Sequence, residues 1–172
     1  MIPQIKRILY ATDLSDNSAY VFRYAIKFAK EYDAGIIILH VLEQLSTTAN
    51  AITHSHLTKE EVKKISEENS AHLKDHIKKQ LKIFCEKKLR NDSECADRVE
   101  SIELCEGFPA EVILGKADEF NCDAIVMGTH GKGIIRNTFL GSTSKRVLRR
   151  TRKPVFIIPL PNEEADIGLG DV

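Results

Sequence analysis

Residues Ile36 to Leu42 read IIILHVL, a run without Asp, Glu, Lys or Arg. A strand with one face in water alternates apolar and polar residues. A run apolar at nearly every position suits a strand covered on both faces, as in a central parallel strand. Four more short runs fit the same sheet: Lys6 to Thr12, Val99 to Cys105, Asp123 to Met127 and Val155 to Ile158. Of these, Val99 to Cys105 alternates and reads as half exposed. Between the runs the spacing turns helical. Ala19, Phe22, Ala25, Ile26 and Ala29 share one helix face, with Ser15 or Asp16 able to cap it and Gly35 to stop it. Thr58-Lys59-Glu60-Glu61 reads as a capping box for a helix running toward Leu89, with Val62, Ile65, Leu73, Ile77, Leu81, Phe84 and Leu89 as its apolar stripe. Unbroken, that helix would span about 45 Å, so a bend or fraying is expected at its N-terminal end. Pro109 opens a helix ending near Asn121, and Ser144 to Arg150 form the body of the last. Strands alternating with helices predict the α/β class: a single doubly wound, five-stranded parallel sheet with right-handed crossovers.

A chain of 172 residues fits one domain and can bury roughly 70% of its unfolded surface. We read residues 1–159 as that domain and 160–172, acidic and glycine-containing, as a disordered tail. Gln44 to Leu57 carries no period and reads as a loop. Asn91-Asp92-Ser93-Glu94 reads as a turn. No apolar run approaches the roughly 20 residues of a membrane span. Met1 to Arg7 does not resemble a secretory leader, which points to a cytoplasmic protein. Cys85, Cys95, Cys105 and Cys122 form no C-x-x-C pair, so reduced thiols with packing roles are expected. His72 and His76 stand one helical turn apart, and His54 and His56 precede them. No H-E-x-x-H is present, and a metal site there is disfavoured.

The stretch Gly128 to Thr143 carries the chemistry. It follows the apolar run Asp123 to Met127 and leads into the last helix. Strand, glycine-rich loop and helix N-terminus together make a phosphate cradle. Glycines let the backbone turn its N–H groups toward an anion, and the helix adds its own free N–H groups and dipole. From Gly128 to Lys153 there is no Asp or Glu, while Lys132, Arg136, Lys145, Arg146, Arg149, Arg150, Arg152 and Lys153 fall in the same window. In a chain of zero net charge, so basic a field suits a polyanionic ligand. The pattern is neither a P-loop nor G-x-G-x-x-G. A basic helix end beside a phosphate site accounts for residues 145–153 more simply than nucleic-acid binding does.

Gly128-x-x-Gly131, nine residues, then Gly141-Ser142 resembles the nucleotide-binding signature of the universal stress protein family, in its ATP-binding branch. The resemblance runs to about Pro159 and includes Asp13 after the first strand and the closing strand after Pro154. It implies a Rossmann-like fold of the adenine nucleotide α-hydrolase type, strand order 3-2-1-4-5. The order reverses between strands 1 and 4, so a ligand crevice is expected at their carboxyl ends. The resemblance implies a bound ATP, ADP or AMP there. Ala11 and Thr12 would line the adenine side, Val41 would pack on the base, and Met127 would give backbone contacts. Gly128, Thr129, Gly131, Lys132, Gly133 and Gly141 would form the phosphate loop. His130 could donate to a phosphate, lie across the ribose, or stay solvated. Ser142 and Thr143 would bind phosphate oxygens at the helix start, where Ser142 could also act as N-cap. Asp13 could hold ribose hydroxyls or the outer shell of a nucleotide-bound Mg²⁺, or cap a helix.

The expected role is a stress-response regulator or sensor that binds adenine nucleotide and an unknown regulatory partner protein. Only Asp13 and His130 could serve as base near the phosphates, so slow ATP hydrolysis at most is expected, and an enzyme is not the leading reading. An α-hydrolase-type enzyme would need a Ser-Gly-Gly-x-Asp-Ser loop where this chain has Ala11-Thr12-Asp13-Leu14-Ser15. A phospho-receiver would need an Asp after strand three and a Lys after strand five, where this chain has Cys105-Glu106 and Ile158-Pro159. An apolar edge strand at 155–158 predicts a homodimer by antiparallel pairing of two copies, and the resemblance implies the same.

Overall fold

The computed structural model describes residues 3–15, 17–43, 58–88, 97–129 and 140–160. Its elements are β1 (Arg7–Thr12), α1 (Ser18–Tyr32), β2 (Gly35–Leu42), α2 (Lys59–Lys88), β3 (Val99–Glu106), α3 (Pro109–Glu119), β4 (Ala124–Gly128), α4 (Ser142–Arg150) and β5 (Val155–Ile158). The five strands form one sheet in the order β3-β2-β1-β4-β5, and every pair is parallel. Fold class and strand order are those expected from the sequence.

The sheet buries both faces, which is why β2 can be apolar along its length. On one face Ile8, Tyr10, Ile36, Ile38 and Val126 meet Val21, Phe22, Ala25, Ile26 and Ala29 of α1, together with Ile77 of α2. On the other, Leu9, Ile37, Leu39 and Ile125 meet Ala110, Ile113 and Ala117 of α3 and Val147 of α4. Burying one such aliphatic side chain stabilises the fold by about 1.5–3 kcal/mol.

Three local readings are corrected. Gly35 does not end α1. Asp33 does, in a left-handed conformation (φ 52°), with its N–H bonding back to the last turn. A short polar side chain tolerates that region, and Gly35 instead opens β2, its N–H donating to the Lys6 carbonyl at 2.9 Å. Nor does Ser15 cap α1: the N-cap is Asn17, without a side-chain bond, and Ser15 contributes only its carbonyl, to the Ser18 N–H at 2.8 Å. Asp16 lies outside the described residues. The long helix α2 has no break. It runs 30 residues, and the expected capping box holds its start: Thr58 N–H donates to the Glu61 carboxylate at 2.7 Å and Glu61 N–H to Thr58 Oγ1 at 3.2 Å. Of its stripe, Leu73 and Ile77 reach the core while Ile65 is exposed. The proposed loop 44–57, the turn 91–94 and residues 161–172 of the tail lie outside the described residues, while Leu160, read as the first residue of the tail, packs against the core.

Among the described residues, no helix is long and apolar enough to cross a membrane. Of the cysteines, Cys105 and Cys122 are free thiols. Burial pushes the Cys122 thiol up to about 11 and raises that of Cys105 as well.

Candidate functional site

Tyr10 pairs with Val126, so β1 and β4 run out side by side and their ends form one crevice. Beyond β1 the chain turns sharply. Leu14 takes a left-handed φ of 58°, a conformation that non-glycine residues avoid unless something holds it. Local bonds do so here: Leu14 N–H donates to Thr12 Oγ1 and Ser15 N–H to Asp13 Oδ1, each at 3.1 Å. The other oxygen, Asp13 Oδ2, is buried and has no partner. Among the described residues only the Arg98 Nε shares that state, and it lies at the opposite end of the sheet, where Arg98 Nη1 donates to the Ala29 carbonyl and to Asp33. A buried, unpaired carboxylate oxygen costs about 1–3 kcal/mol, and a donor supplied by a ligand would remove that cost.

Ala11, Val41 and Met127, from three adjacent strands, gather in one apolar cluster on the α3–α4 face. The structure thus brings together three of the residues for which the resemblance implied contact with a base. Gly128 ends β4, and Thr129 follows it into the interior at 6% exposure. The base of the glycine stretch is tied at both ends. Gly141 N–H donates to the Thr129 carbonyl at 2.7 Å, and Thr129 N–H to the Ile158 carbonyl at 3.0 Å. His130, Gly131, Lys132 and Gly133 lie outside the described residues.

Ser142 is not the N-cap. Gly141 is, in an extended conformation, and Ser142 and Thr143 occupy the first turn of α4. Glycine has no side chain with which to cap the helix, and among the described residues no side chain caps its first turn, where the N–H groups and the positive end of the dipole suit an anion. Arg146 stands one turn further on. It lines a cleft of about 230 Å³ shared with Ser142 and Thr143, with Glu43 after β2, and with Phe108 to Ala110 at the start of α3. Phe108 is 72% exposed at this cleft. Of the basic window, Arg150 and Lys153 are engaged by Glu111 and Asp118 of α3, so part of it braces two helices.

Two residues of the crevice escaped the sequence reading. Ser144 is 3% exposed, and its hydroxyl donates to the Gly128 carbonyl at 3.0 Å and lies 3.3 Å from that of Thr129. It pins the strand end to the helix. His40, inside the apolar run of β2, places Nδ1 2.8 Å from the Thr12 carbonyl. Its signal was visible as the one polar letter in IIILHVL. Ser144 had none beyond its place after Ser142 and Thr143. Among the described residues, no group of three or more His, Cys, Asp or Glu side chains could hold a metal.

The geometry can be set beside known proteins. Universal stress protein MJ0577 of Methanocaldococcus jannaschii is 27% identical over 157 residues, covering 91% of this chain and 96% of that protein. The universal stress protein UspA from Lactobacillus plantarum superposes with a TM-score of 0.66 at 22% identity, over 91% of this chain and 99% of that one. A universal stress protein in complex with cAMP superposes with a TM-score of 0.52 at 21% identity, over 91% and 98%. The sequence model of the universal stress protein family matches residues 4–159, nearly the whole described fold, and this chain belongs to that family.

Proposed function

We propose that this protein binds an adenine nucleotide, ATP or its relatives ADP and AMP, in the crevice between β1 and β4. The observation that carries the reading is the buried, unpartnered Asp13 Oδ2 at the point where strand order reverses. That oxygen suits a ribose hydroxyl or a water of nucleotide-bound Mg²⁺. Such an ion would be held mainly by the phosphates. The adenine would rest on Ala11, Val41 and Met127 beside Thr12. The phosphates would lie against Gly128, Thr129, His130, Gly131, Lys132, Gly133 and Gly141 and the uncapped start of α4 at Ser142 and Thr143. The cAMP complex has the same fold, which speaks for the architecture's capacity to hold an adenine nucleotide.

In this reading the protein is a cytoplasmic stress-response regulator whose nucleotide occupancy a partner protein senses. It acts as a homodimer through β5. That strand is short and at the sheet edge, with Val155, Phe156 and Ile157 half buried, and a second copy paired antiparallel would complete the edge. Two experiments test the nucleotide reading. Mass spectrometry of the purified protein after denaturation should release an adenine nucleotide. Calorimetric titration of ATP should show Gly131→Val losing far more affinity than Ser142→Ala, because a side chain in the loop blocks several N–H contacts at once. Folded Gly131→Val that binds as tightly as wild type refutes the phosphate-loop assignment.

A further inference from the structure

Buried polar side chains are scarce among the described residues: His40, Thr129 and Ser144. All three stand at the carboxyl end of the sheet. Thr129 and Ser144 bracket the glycine stretch, whereas His40 lies on β2 and continues the row of Ile36 and Ile38. Successive strand residues face opposite sides, so His40 points toward the α1 face, away from the cluster of Ala11, Val41 and Met127. It is therefore placed to act on the crevice through the backbone rather than by touching a ligand on that cluster.

An imidazole in an apolar strand is unfavourable unless it is hydrogen-bonded. His40 is 8% exposed, and its Nδ1 lies 2.8 Å from the carbonyl oxygen of Thr12, its register partner. A carbonyl only accepts, so Nδ1 carries the proton. This carbonyl belongs to the peptide that joins Thr12 to Asp13. Beyond it come the left-handed Leu14 and the two short bonds that close the turn on itself. Those bonds lie wholly within the turn, and they open more often if the turn is not held to the sheet. The His40 bond holds it there, from a strand flanked by β1 and β3.

We propose that His40 is a positioning residue for Asp13. By holding the Thr12 carbonyl it fixes the direction in which the chain leaves β1, and with it the place of Asp13 Oδ2. Its consequence for binding rests on the adenine-nucleotide reading above, but its geometry can be tested without a ligand. His40→Leu fills similar volume with no donor. His40→Asn keeps an N–H donor the same number of bonds from the backbone.

The test is amide hydrogen exchange at Leu14 and Ser15 in ligand-free wild type, His40→Leu and His40→Asn, with urea denaturation as folding control and ATP titration alongside. His40→Leu is expected to exchange at both amides about tenfold faster and to bind ATP about tenfold more weakly, as for the loss of one hydrogen bond. His40→Asn should recover most of both, a rescue that a space-filling role would not give. Unchanged exchange in folded His40→Leu overturns the proposal, and if wild type binds ATP the nucleotide reading survives it. Faster exchange in a protein whose wild type binds no adenine nucleotide supports the positioning role and removes the nucleotide reading. Should His40→Leu not fold, the wild type still decides: a ¹⁵N spectrum with His40 protonated at Nδ1 supports the proposal, and one with Nδ1 bare overturns it.

Discussion

Replacing Asp13 by alanine separates ligand binding from folding, because its two carboxylate oxygens do opposite things in the ligand-free protein. Oδ1 accepts the Ser15 N–H at 3.1 Å, a bond to a charged group worth about 1.5–3 kcal/mol. Oδ2 is buried without a partner, at a cost of about 1–3 kcal/mol. Asp13→Ala removes both, so the two terms offset and ligand-free stability should stay within about 1 kcal/mol of wild type. For a chain of this size that is a shift of about 2–4 °C in Tm. With ATP the variants diverge. A charge-assisted contact worth about 1.5–3 kcal/mol corresponds to roughly 10- to 150-fold in affinity. At an ATP concentration one hundred times the wild-type Kd, ligand stabilises wild type by about 2.7 kcal/mol. A variant binding about 30-fold more weakly would gain about 0.9 kcal/mol at the same concentration. Urea denaturation with and without ATP reads both quantities. If ligand-free Asp13→Ala loses more than about 3 kcal/mol, Asp13 is a structural cap. If ATP stabilises the variant as much as wild type, Oδ2 is not the ligand's acceptor.

Other residues give further expectations. Ser144→Ala removes the hydroxyl that donates to Gly128 inside the fold, and should cost about 1–3 kcal/mol in urea denaturation; a change below about 0.5 kcal/mol contradicts the pinning role. Ile157→Lys puts a charge on the edge strand β5 and should leave a folded monomer by light scattering, so an intact dimer refutes pairing through that strand. The Glu61 carboxyl is held below its usual value by hydrogen bonds from the Thr58 backbone and hydroxyl. Its depressed folded-state value means that its support for the start of α2 is present above the unfolded carboxylate range and is lost as pH falls through the lower, folded value. Circular dichroism during acid titration should therefore show helix loss in wild type over that interval, and Glu61→Gln should lack this component.

The sheet was legible because its physics is local. An apolar run such as Ile36 to Leu42 can satisfy both faces only in the middle of a covered sheet. Strand order came through the resemblance carried by the glycine spacing, since periodicity cannot say which strand lies beside which. The cap errors have a different source. Gly35 and Asp33 both suit a left-handed position, and the choice was made by tertiary contacts. The Glu100 carboxylate, which Arg7 Nε holds at 2.7 Å, stands where a Cβ at position 35 would be. A Cβ there would have to displace that exposed carboxylate, whereas glycine leaves it in place, and Asp33 takes the turn. In the crevice, Asp13, Gly128 and Gly141 could be found from type and spacing. Ser144 could not, and His40 showed only as a polar letter without a role, because each acts on a carbonyl brought to it from elsewhere in the chain, 16 and 28 residues away.

The two ends of the sheet are closed by different kinds of bond. At the amino end the ties are largely charged and near solvent. Arg7 pairs with Glu100, Asp123 accepts the Lys6 and Arg7 N–H groups, and Lys153 reaches Asp118 and the Cys122 carbonyl. Exposed ion pairs of this sort are worth about 0–1 kcal/mol each, and a change there acts on stability alone. At the carboxyl end the ties run through buried polar side chains, His40, Thr129 and Ser144, and one carboxylate oxygen is left without a donor. Apolar side chains of similar volume could fill those positions, but they would leave the carbonyls of Thr12 and Gly128 without these donors. What the polar set does accomplish is to fix three carbonyls, those of Thr12, Gly128 and Thr129, at the mouth of the crevice where strand order reverses. Rigidity at that mouth would lower the cost of ordering the site for the adenine nucleotide proposed above, and the polar burial fits that proposal.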